Sequence, residues 1–241
     1  MKQSRELTNE ELKERAIRFF NRYGNDLSQI SELLKIRLTQ IAFAYTLQNN
    51  LPPEAITVST RVKTLKSFLK KLEKKGYPQF YYATEVAQDL IGARLVCWFV
   101  DDCDGMKKLI SSSQHLEVMP EVEDYIQNPK ASGYRSIHLA ANVAYDSVQR
   151  DKEQAIVSSE KMQCEIQIRT KLQDAWADVT HEFHYKAKNS GVDNAVYEKI
   201  LAEISHRLTN EDNSLLTLRE AYKDLADDKT LRKVREGFRE D

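Results

Sequence analysis

Residues 162–170 constrain the fold most strongly, because their side chains alternate strictly between apolar and polar. The apolar positions are Met162, Cys164, Ile166 and Ile168, and the polar positions between them are Gln163, Glu165, Gln167 and Arg169. Successive side chains of a β-strand point to opposite faces, so the alternation predicts a strand with one packed and one polar face. An ordinary exposed strand shows the same pattern, so a functional interpretation needs complementary chemistry elsewhere in the chain.

The composition fits one large domain, or one domain with helical extensions. The chain has 241 residues, of which 41% are hydrophobic and 30% charged, and its formal net charge is -1. This balance excludes a protein-wide positive field for nucleic acid, so any polyanion site has to be a local Lys and Arg cluster. The sequence shows neither an apolar signal core at its start nor a membrane-spanning apolar run, and its three cysteines lack metal-binding spacing. We therefore expect a cytoplasmic protein without membrane contact.

Helical periodicity dominates both ends of the sequence. At the N-terminal end, Thr8 and Glu11 form a capping-box pattern that predicts a helix closed by Gly24, followed by a second helix over about residues 26–48. At the C-terminal end, helices are predicted over about 171–187, 193–208 and 214–226, with an interruption at 210–213. We therefore expect N-terminal helices over 1–54, a core over 55–190 and C-terminal helices over 191–241.

A cationic cluster is predicted where a strand over residues 56–63 meets the helix that Thr64 caps and Gly76 ends. Arg61 and Lys63 lie on the polar parity of that strand, and Lys71 lies on the helix. Cations beside a helix N-terminus are typical of a phosphate site. The alternative, a solvated helix face, is our interpretation for the neighbouring lysines Lys70, Lys74 and Lys75.

The run from Asp89 to Val100 is almost entirely apolar and predicts a central strand buried on both faces. Asp89 and Arg94 within it are costly unless they are paired, bind a metal or face a cleft. Their parity differs, so either Asp89 precedes the regular strand or Gly92 marks a bulge. A mutual structural ion pair is the alternative to a functional role.

A polar loop over residues 121–133 separates a short strand near 116–119 from the stretch that begins at Tyr134. In that stretch Tyr134, Ser136 and His138 share one parity. An aromatic ring at the mouth of a cleft can stack on a nucleotide base, and a histidine can contact ribose or phosphate. The alternative is that the tyrosine and the histidine are partly buried residues with structural partners.

Five stretches in this order resemble the synthetase domain of the RelA/SpoT family, which makes the alarmone nucleotides (p)ppGpp. They are Arg61-x-Lys63-x3-Ser67-x3-Lys71, Asp89-x2-Gly92-x-Arg94, Asp124-Tyr125-Ile126-x2-Pro129-Lys130, Gly133-Tyr134-x-Ser136-x-His138 and Glu165-Ile166-Gln167-Ile168-Arg169-Thr170. The resemblance covers about residues 55–190, and the length is similar to that of the small alarmone synthetases. It implies an α/β fold with a mixed β-sheet of about five strands flanked by helices, related to nucleotidyltransferases, with helical N- and C-terminal extensions.

The resemblance also implies roles for individual residues. Asp89 and Glu165 would hold Mg²⁺, and Glu165 would in addition act as general base. The implied ATP-binding residues are Arg61, Lys63, Ser67, Lys71 and Arg94. The implied residues for the acceptor nucleotide are Lys130, Tyr134, Ser136, His138, Gln167, Arg169 and Asp174. Small relatives are often homotetramers, so a homo-oligomer is expected.

The implied reaction is that of a GTP/GDP pyrophosphokinase, which moves the β,γ-pyrophosphoryl group of ATP to the 3′-hydroxyl of GDP or GTP and releases AMP. Four alternatives remain open: a toxic relative that modifies the 3′ CCA end of tRNA, an enzyme that makes (p)ppApp, an inactive nucleotide-binding module, and a nucleotidyltransferase that adds NMP. No nucleic acid partner is expected unless tRNA is the acceptor.

Two positions depart from the family pattern. Glu123 stands where family members commonly carry a basic residue, which weakens the expectation of acceptor-phosphate contacts from its loop. Asp174 stands nine residues after Glu165, where His or Asn is frequent. A carboxylate can accept hydrogens from both N1 and the exocyclic amino group of guanine, which adenine cannot supply. Asp174 is therefore our hypothesis for a guanine preference.

Overall fold

The computed structural model describes residues 5–151, 154–190 and 194–237. Within these residues, five strands form one mixed sheet in the order β1-β2-β5-β4-β3. The strands are β1 (Ile56–Val62), β2 (Ile91–Cys97), β3 (Leu116–Asp124), β4 (Ile137–Asp151) and β5 (Gln154–Thr170). The central pair β2 and β5 is parallel, and every other neighbouring pair is antiparallel. The predicted α/β fold with about five strands is therefore confirmed.

Six α-helices surround the sheet in the described residues. They are α1 (Asn9–Gln48), α2 (Leu65–Lys74), α3 (Ala83–Val86), α4 (Val100–Ser111), α5 (Lys171–Ser190) and α6 (Asn194–Gly237). The predicted caps are present: Thr8 and Glu11 form a capping box, and the Thr64 side chain accepts a hydrogen bond from the Ser67 backbone N–H. In the described ranges no helix combines the length and apolarity that crossing a membrane requires.

Two predicted helix breaks are wrong. Helix α1 runs without interruption through Gly24, because Leu12 and Ala16 before it and Leu27 and Ile30 after it pack into the same core. A glycine inside a helix costs only about 1 kcal/mol, which that burial outweighs. Helix α6 likewise continues through 210–213, where Asp212 is buried and accepts hydrogen bonds from other elements.

Two strand boundaries also differ from the sequence-based expectation. β3 continues to Asp124, so Glu121 and Glu123 are strand residues rather than loop residues. β4 begins only at Ile137, so Tyr134 and Ser136 lie in the loop before it. The parity rule applies only inside a regular strand, so it does not hold for these two loop residues.

The hydrophobic core lies on one face of the sheet, under α1, α2 and α4. β5 contributes Cys164, Ile166 and Ile168 to this core, while Glu165 and Gln167 point to the other face. The alternation predicted for residues 162–168 is thus confirmed. It leaves the polar side chains of the central strands on the opposite face, where they can form a site.

Candidate active site

The strand register brings residues that are distant in sequence side by side on the polar face. Glu165 of β5 pairs with Gly92 of β2 and with Ala140 of β4, and Gly92 in turn pairs with Arg61 of β1. A Cβ at Gly92 would meet the Arg61 side chain at 3.6 Å, an ordinary van der Waals contact, so the two residues are direct neighbours on this face. Of the two options for Asp89, the structure selects the first: it precedes the regular strand.

Asp89 is held by two ammonium groups. Its carboxylate accepts hydrogen bonds from Lys63 Nζ at 2.6 Å and from Lys71 Nζ at 2.8 Å. Burial alone would raise the pKa of Asp89, but the hydrogen bonds and positive charges of the two lysines outweigh it and lower the pKa to about 2. Asp89 is therefore a carboxylate anion at neutral pH. Of the three cations predicted to converge, Lys63 and Lys71 meet at Asp89, which lies between them. Arg61 instead lines a separate cavity beside Gly92.

Glu165 stands at the end of a hydrogen-bond chain. His138 Nδ1 lies 3.0 Å from Glu165 Oε1, and His138 Nε2 lies 2.8 Å from the Tyr134 hydroxyl. Gln167 Nε2 donates to Glu165 Oε2 at 3.2 Å. The hydrogen bond from His138 lowers the pKa of Glu165 against the opposing effect of burial. When His138 Nδ1–H donates a hydrogen bond to the ionised Glu165, Nε2 of the same neutral ring is free of hydrogen. Nε2 can then accept a hydrogen bond from the Tyr134 hydroxyl.

Glu165 also lies between two cavities on this face. The arginine cavity has a volume of about 220 Å³ and is lined by Ser59, Thr60, Arg61, Gly92, Ala93, Arg94, Glu165 and Gln167. The carboxylate cavity has a volume of about 340 Å³, and its charged or ionisable lining residues are Lys71, Asp89, Glu121, Glu123, His138, Cys164 and Glu165. One side chain of the central strand therefore reaches both cavities.

The donor set in the carboxylate cavity fits Mg²⁺. Asp89 and Glu165 both line this cavity and supply carboxylate oxygens, the ligands that Mg²⁺ prefers. In the described part of the chain, no group of three or more His, Cys, Asp and Glu side chains is placed to hold a metal. Two carboxylates are nevertheless sufficient, because Mg²⁺ keeps several waters and takes further oxygens from substrate phosphates.

Arg94 and Arg169 converge on Asp174. Arg94 Nη1 lies 3.1 Å from Asp174 Oδ1 and 3.1 Å from Asp178 Oδ1, and Arg169 Nε lies 3.3 Å from Asp174 Oδ1. Arg169 is only 2% exposed, and its Nη2 donates to Gln167 Oε1 at 2.8 Å. This burial leaves little of the Arg169 side chain open to a ligand, and its assignment to the acceptor nucleotide stays a prediction. Arg169 orients Gln167, which in turn contacts Glu165.

The loop before β4 gathers aromatic rings around Tyr134. Tyr134 is half-buried, and its ring centroid lies 6.0 Å from that of Tyr125, 5.7 Å from that of His138 and 6.5 Å from that of Trp176. Lys130 Nζ lies 4.1 Å from the Tyr125 centroid and 5.4 Å from the Tyr134 centroid. Tyr134 and Lys130 therefore lie together beside His138, outside the lining of the two cavities. The role of Tyr134 as a stacking platform stays a prediction.

Two further predicted residues, Ser136 and Ser67, line neither of the two cavities. Ser136 is fully buried, and its hydroxyl donates to the Ile168 carbonyl at 3.1 Å. Its assignment to the acceptor nucleotide stays a prediction. Ser67 is exposed in the first turn of α2, where its Oγ is 2.9 Å from Thr64 Oγ1. It lies at the end of a helix whose first-turn N–H groups suit an anion.

Comparison with known proteins decides the family. The model described as the region found in RelA / SpoT proteins matches residues 60–190. The chain belongs to the RelA/SpoT family. It is 34% identical over 158 residues to the GTP pyrophosphokinase YjbM of Bacillus subtilis, covering 66% of this chain and 69% of that protein. It is 32% identical over 179 residues to the GTP pyrophosphokinase YwaC of the same organism, covering 73% and 80%.

Solved structures of RelA/SpoT proteins have the same fold. The small alarmone synthetase 1 from Bacillus subtilis, bound to its product pppGpp, matches with a TM-score of 0.69 at 27% identity, covering 85% of this chain and 98% of that one. A GTP pyrophosphokinase family protein from Streptococcus pneumoniae matches with a TM-score of 0.69 at 27% identity, covering 86% and 95%. The resemblance read from five short motifs is thereby confirmed.

Several residues of this RelA/SpoT site were not assigned a role from the sequence. Tyr125 belongs to a recognised motif, and its position beside a lysine-bearing loop was the available signal. Asp178 and Asp174 both form an ion pair with Arg94. Asp178 follows Asp174 by four residues, so helix periodicity was the signal that places both on one face. Ser205 of α6 donates to the Gly133 carbonyl. No sequence pattern indicates that contact, because it joins residues 72 positions apart.

Proposed function

We propose that this chain is a (p)ppGpp synthetase, an enzyme that transfers the pyrophosphoryl group of ATP to the 3′-hydroxyl of GDP or GTP and releases AMP. The observation that carries the proposal is the position of Glu165 between the arginine cavity and the carboxylate cavity. A transfer reaction needs two substrates whose reacting atoms meet beside one catalytic group. The relatives named as GTP pyrophosphokinases support the choice of reaction.

ATP is assigned to the side of the site that β1, α2 and β2 build. Arg61 and Arg94 line the arginine cavity, where planar guanidinium groups can stack on adenine. Lys63 and Lys71 are placed beside Asp89 as point charges for the phosphates, and Ser67 adds the N-terminal turn of α2. When ATP binds, its phosphates offer these lysines a second anionic partner.

Asp89 and Glu165 would hold Mg²⁺ through carboxylate oxygens. When bound there, the ion neutralises negative charge on the transferring phosphates. The two carboxylates suit this role because both line one cavity, and because the pKa of each is lowered, which keeps them ionised.

We assign Glu165 the role of general base, which accepts the proton of the acceptor 3′-hydroxyl. The acceptor 3′-hydroxyl oxygen attacks the β-phosphorus of ATP in line, and its proton passes to the Glu165 carboxylate. The new O3′–Pβ bond forms as the bond from Pβ to the bridging oxygen of AMP breaks, and AMP leaves with that electron pair. His138 and Gln167 fix the carboxylate in place through the contacts at 3.0 and 3.2 Å. Catalysis then consists mainly of positioning and charge neutralisation.

The acceptor nucleotide is assigned to the side of the site that β4 and its preceding loop build. Tyr134 supplies a ring for the guanine, and Lys130 supplies a cation for the acceptor phosphates. His138 lies between that ring and Glu165, where it can contact the ribose. Glu121 and Glu123 also line the carboxylate cavity, and their charge disfavours a large polyanion such as tRNA.

The test of this function gives the enzyme γ-labelled ATP and one acceptor in each reaction. The acceptors are GDP, GTP, ADP, ATP and bulk tRNA. We expect label on GDP and GTP, with AMP released in equal amount. If the label appears mainly on tRNA or on adenosine nucleotides, the acceptor is that molecule and not a guanosine nucleotide. The complete absence of transfer would favour a binding module.

The same acceptor panel tests Asp174 as a determinant of guanine preference. We expect Asp174→Asn to lower the ratio of GDP to ADP use about tenfold, because the amide no longer accepts both guanine hydrogens. Asp178→Asn is the matched control, since Asp178 pairs with the same Arg94 at the same 3.1 Å. A ratio that falls equally in both variants would assign the effect to Arg94 instead.

We also propose that the chain forms a homo-oligomer through an apolar surface on α6 and the end of α1. Exposed apolar side chains there are Phe43, Leu47, Leu215, Leu218, Tyr222 and Leu225, beside an open groove of about 910 Å³. Exposed apolar area of this kind marks association surfaces. We expect Leu218→Glu to shift the mass measured by light scattering towards the monomer, whereas Thr217→Glu does not. A monomeric wild type would contradict the proposal.

A further inference from the structure

Helix α6 is joined directly to the loop that carries Tyr134. The Ser205 hydroxyl donates to the Gly133 carbonyl oxygen, and Ser205 is only 5% exposed. A Cβ at Gly133 would lie 2.7 Å from the Ala202 Cα, closer than real contacts allow. Gly133 also has a φ of +87°, which favours glycine. The helix therefore packs on this loop at a distance that only glycine permits.

Fixing the Gly133 carbonyl restrains Tyr134, because the two residues share one peptide unit. The same loop is a tight turn in which Gly133 N–H donates to the Lys130 carbonyl at 2.8 Å and Lys130 N–H donates to the Tyr134 carbonyl at 3.2 Å. Both side chains assigned to the acceptor nucleotide, Lys130 and Tyr134, thus belong to a turn whose outer face rests on α6.

A second contact joins α6 to the other wall of the site. Asp212 lies seven residues after Ser205, two helical turns away and on the same face. Its Oδ2 accepts hydrogen bonds from Thr170 Oγ1 at 2.8 Å and from Gln173 Nε2 at 3.4 Å. Thr170 ends β5, and Gln173 precedes Asp174 in α5. One face of α6 therefore contacts both segments that carry acceptor-side residues.

The arginine cavity is built differently. Its lining residues, among those described, come from β1, β2 and β5, on the other side of Glu165. A change in how α6 sits on the Gly133 turn therefore acts first on the acceptor side, while the ATP side is reached more remotely, through the ion pairs of Arg94 with Asp174 and Asp178.

We propose that Ser205 is a positioning residue that sets the acceptor loop, so that α6 controls affinity for the acceptor nucleotide but not for ATP. This inference rests on the proposed function, because it takes Lys130 and Tyr134 as acceptor contacts. Ser205 does not touch substrate; it acts through the Gly133 carbonyl and the turn that ends at Tyr134.

The test compares Ser205→Ala with Ser214→Ala, a matched change on the same helix whose exposed hydroxyl bonds only to the Asn210 carbonyl of its own helix. We expect Ser205→Ala to raise the KM for GDP about threefold to tenfold, as the loss of one buried hydrogen bond allows, while the KM for ATP stays within about twofold. Amide hydrogen exchange of residues 130–136 should become several-fold faster. Ser214→Ala should change neither quantity.

Equal increases in both KM values, or unchanged exchange in the loop, would overturn the inference. The melting temperature of each variant shows whether the fold is retained. Hydrogen exchange needs no turnover, so it tests the loop support separately from the reaction. Failure of the wild type to label any guanosine nucleotide would instead refute the proposed function.

Discussion

Replacing Glu165 with glutamine is expected to lower the rate of pyrophosphate transfer by about 10³-fold or more. Glutamine keeps the size of the side chain but removes the charge that accepts the hydroxyl proton, a role worth typically about 10²–10⁴-fold. It also removes one of the two carboxylates assigned to Mg²⁺. The measurement is AMP and product formation from labelled ATP and GDP, followed by thin-layer chromatography.

Glu160→Gln is the matched control for this experiment. Glu160 lies on the same strand five residues earlier, and it accepts hydrogen bonds from Tyr145 and Ser158 at the protein surface. We expect this variant to retain the wild-type rate, and both variants to keep the wild-type melting temperature within a few degrees. Undiminished product formation by folded Glu165→Gln would show that the general base is another group.

Replacing Asp89 with asparagine is expected to lower the transfer rate by about 10²-fold or more, a loss typical of removing one electrostatic contact in an active site. The carboxylate is the shared partner of Lys63 and Lys71, and an amide cannot balance two ammonium charges. We also expect weaker binding of Mn²⁺, used as a paramagnetic substitute for Mg²⁺, in the presence of a non-hydrolysable ATP analogue. Electron paramagnetic resonance measures that binding without turnover.

Asp104→Asn controls for the loss of an acid–lysine pair elsewhere. Asp104 lies 3.2 Å from Lys107 on α4 and does not line either cavity. We expect it to bind Mn²⁺ and to turn over like the wild type. The role of Asp89 would be wrong if Asp89→Asn bound Mn²⁺ as tightly as the unchanged protein. Comparison at pH 7.5 is appropriate, because the lowered pKa keeps Asp89 ionised there.

The sheet was predictable from the sequence because its strands carry periodic signals. The alternation in residues 162–168 and the apolar run that contains β2 both follow from how a strand distributes its side chains, and the structure confirms the alternation and the interior position of β2. The expectation that β2 is buried on both faces is wrong, because Gly92 and Arg94 on its polar face line the arginine cavity. The two predicted helix breaks failed for the opposite reason. Gly24 and residues 210–213 are local signals, and packing of the residues around them overrides local preference.

The site was predictable as a set of chemical groups but not as a geometry. The motifs singled out Asp89, Glu165 and His138, whereas the lysines on Asp89 and the His138 contact to Glu165 depend on strand register. Ser136 and Arg169 occupy polar positions that the tertiary structure buries, and the sequence pattern did not indicate that burial. Ser205 left no signal at all, because its contact depends on how α6 packs against a distant turn.

The place of β5 in the middle of the sheet has an evolutionary consequence. The residues assigned to ATP lie on β1, α2 and β2, and the loop assigned to the acceptor leads into β4, on the other flank of β5. Mutations that reshape one flank but keep the ion pairs of Arg94 with Asp174 and Asp178 therefore disturb the other flank and the central carboxylate little. Substitutions confined to the acceptor loop and β4 can therefore change the acceptor, while ATP as donor and Glu165 as the central group are kept.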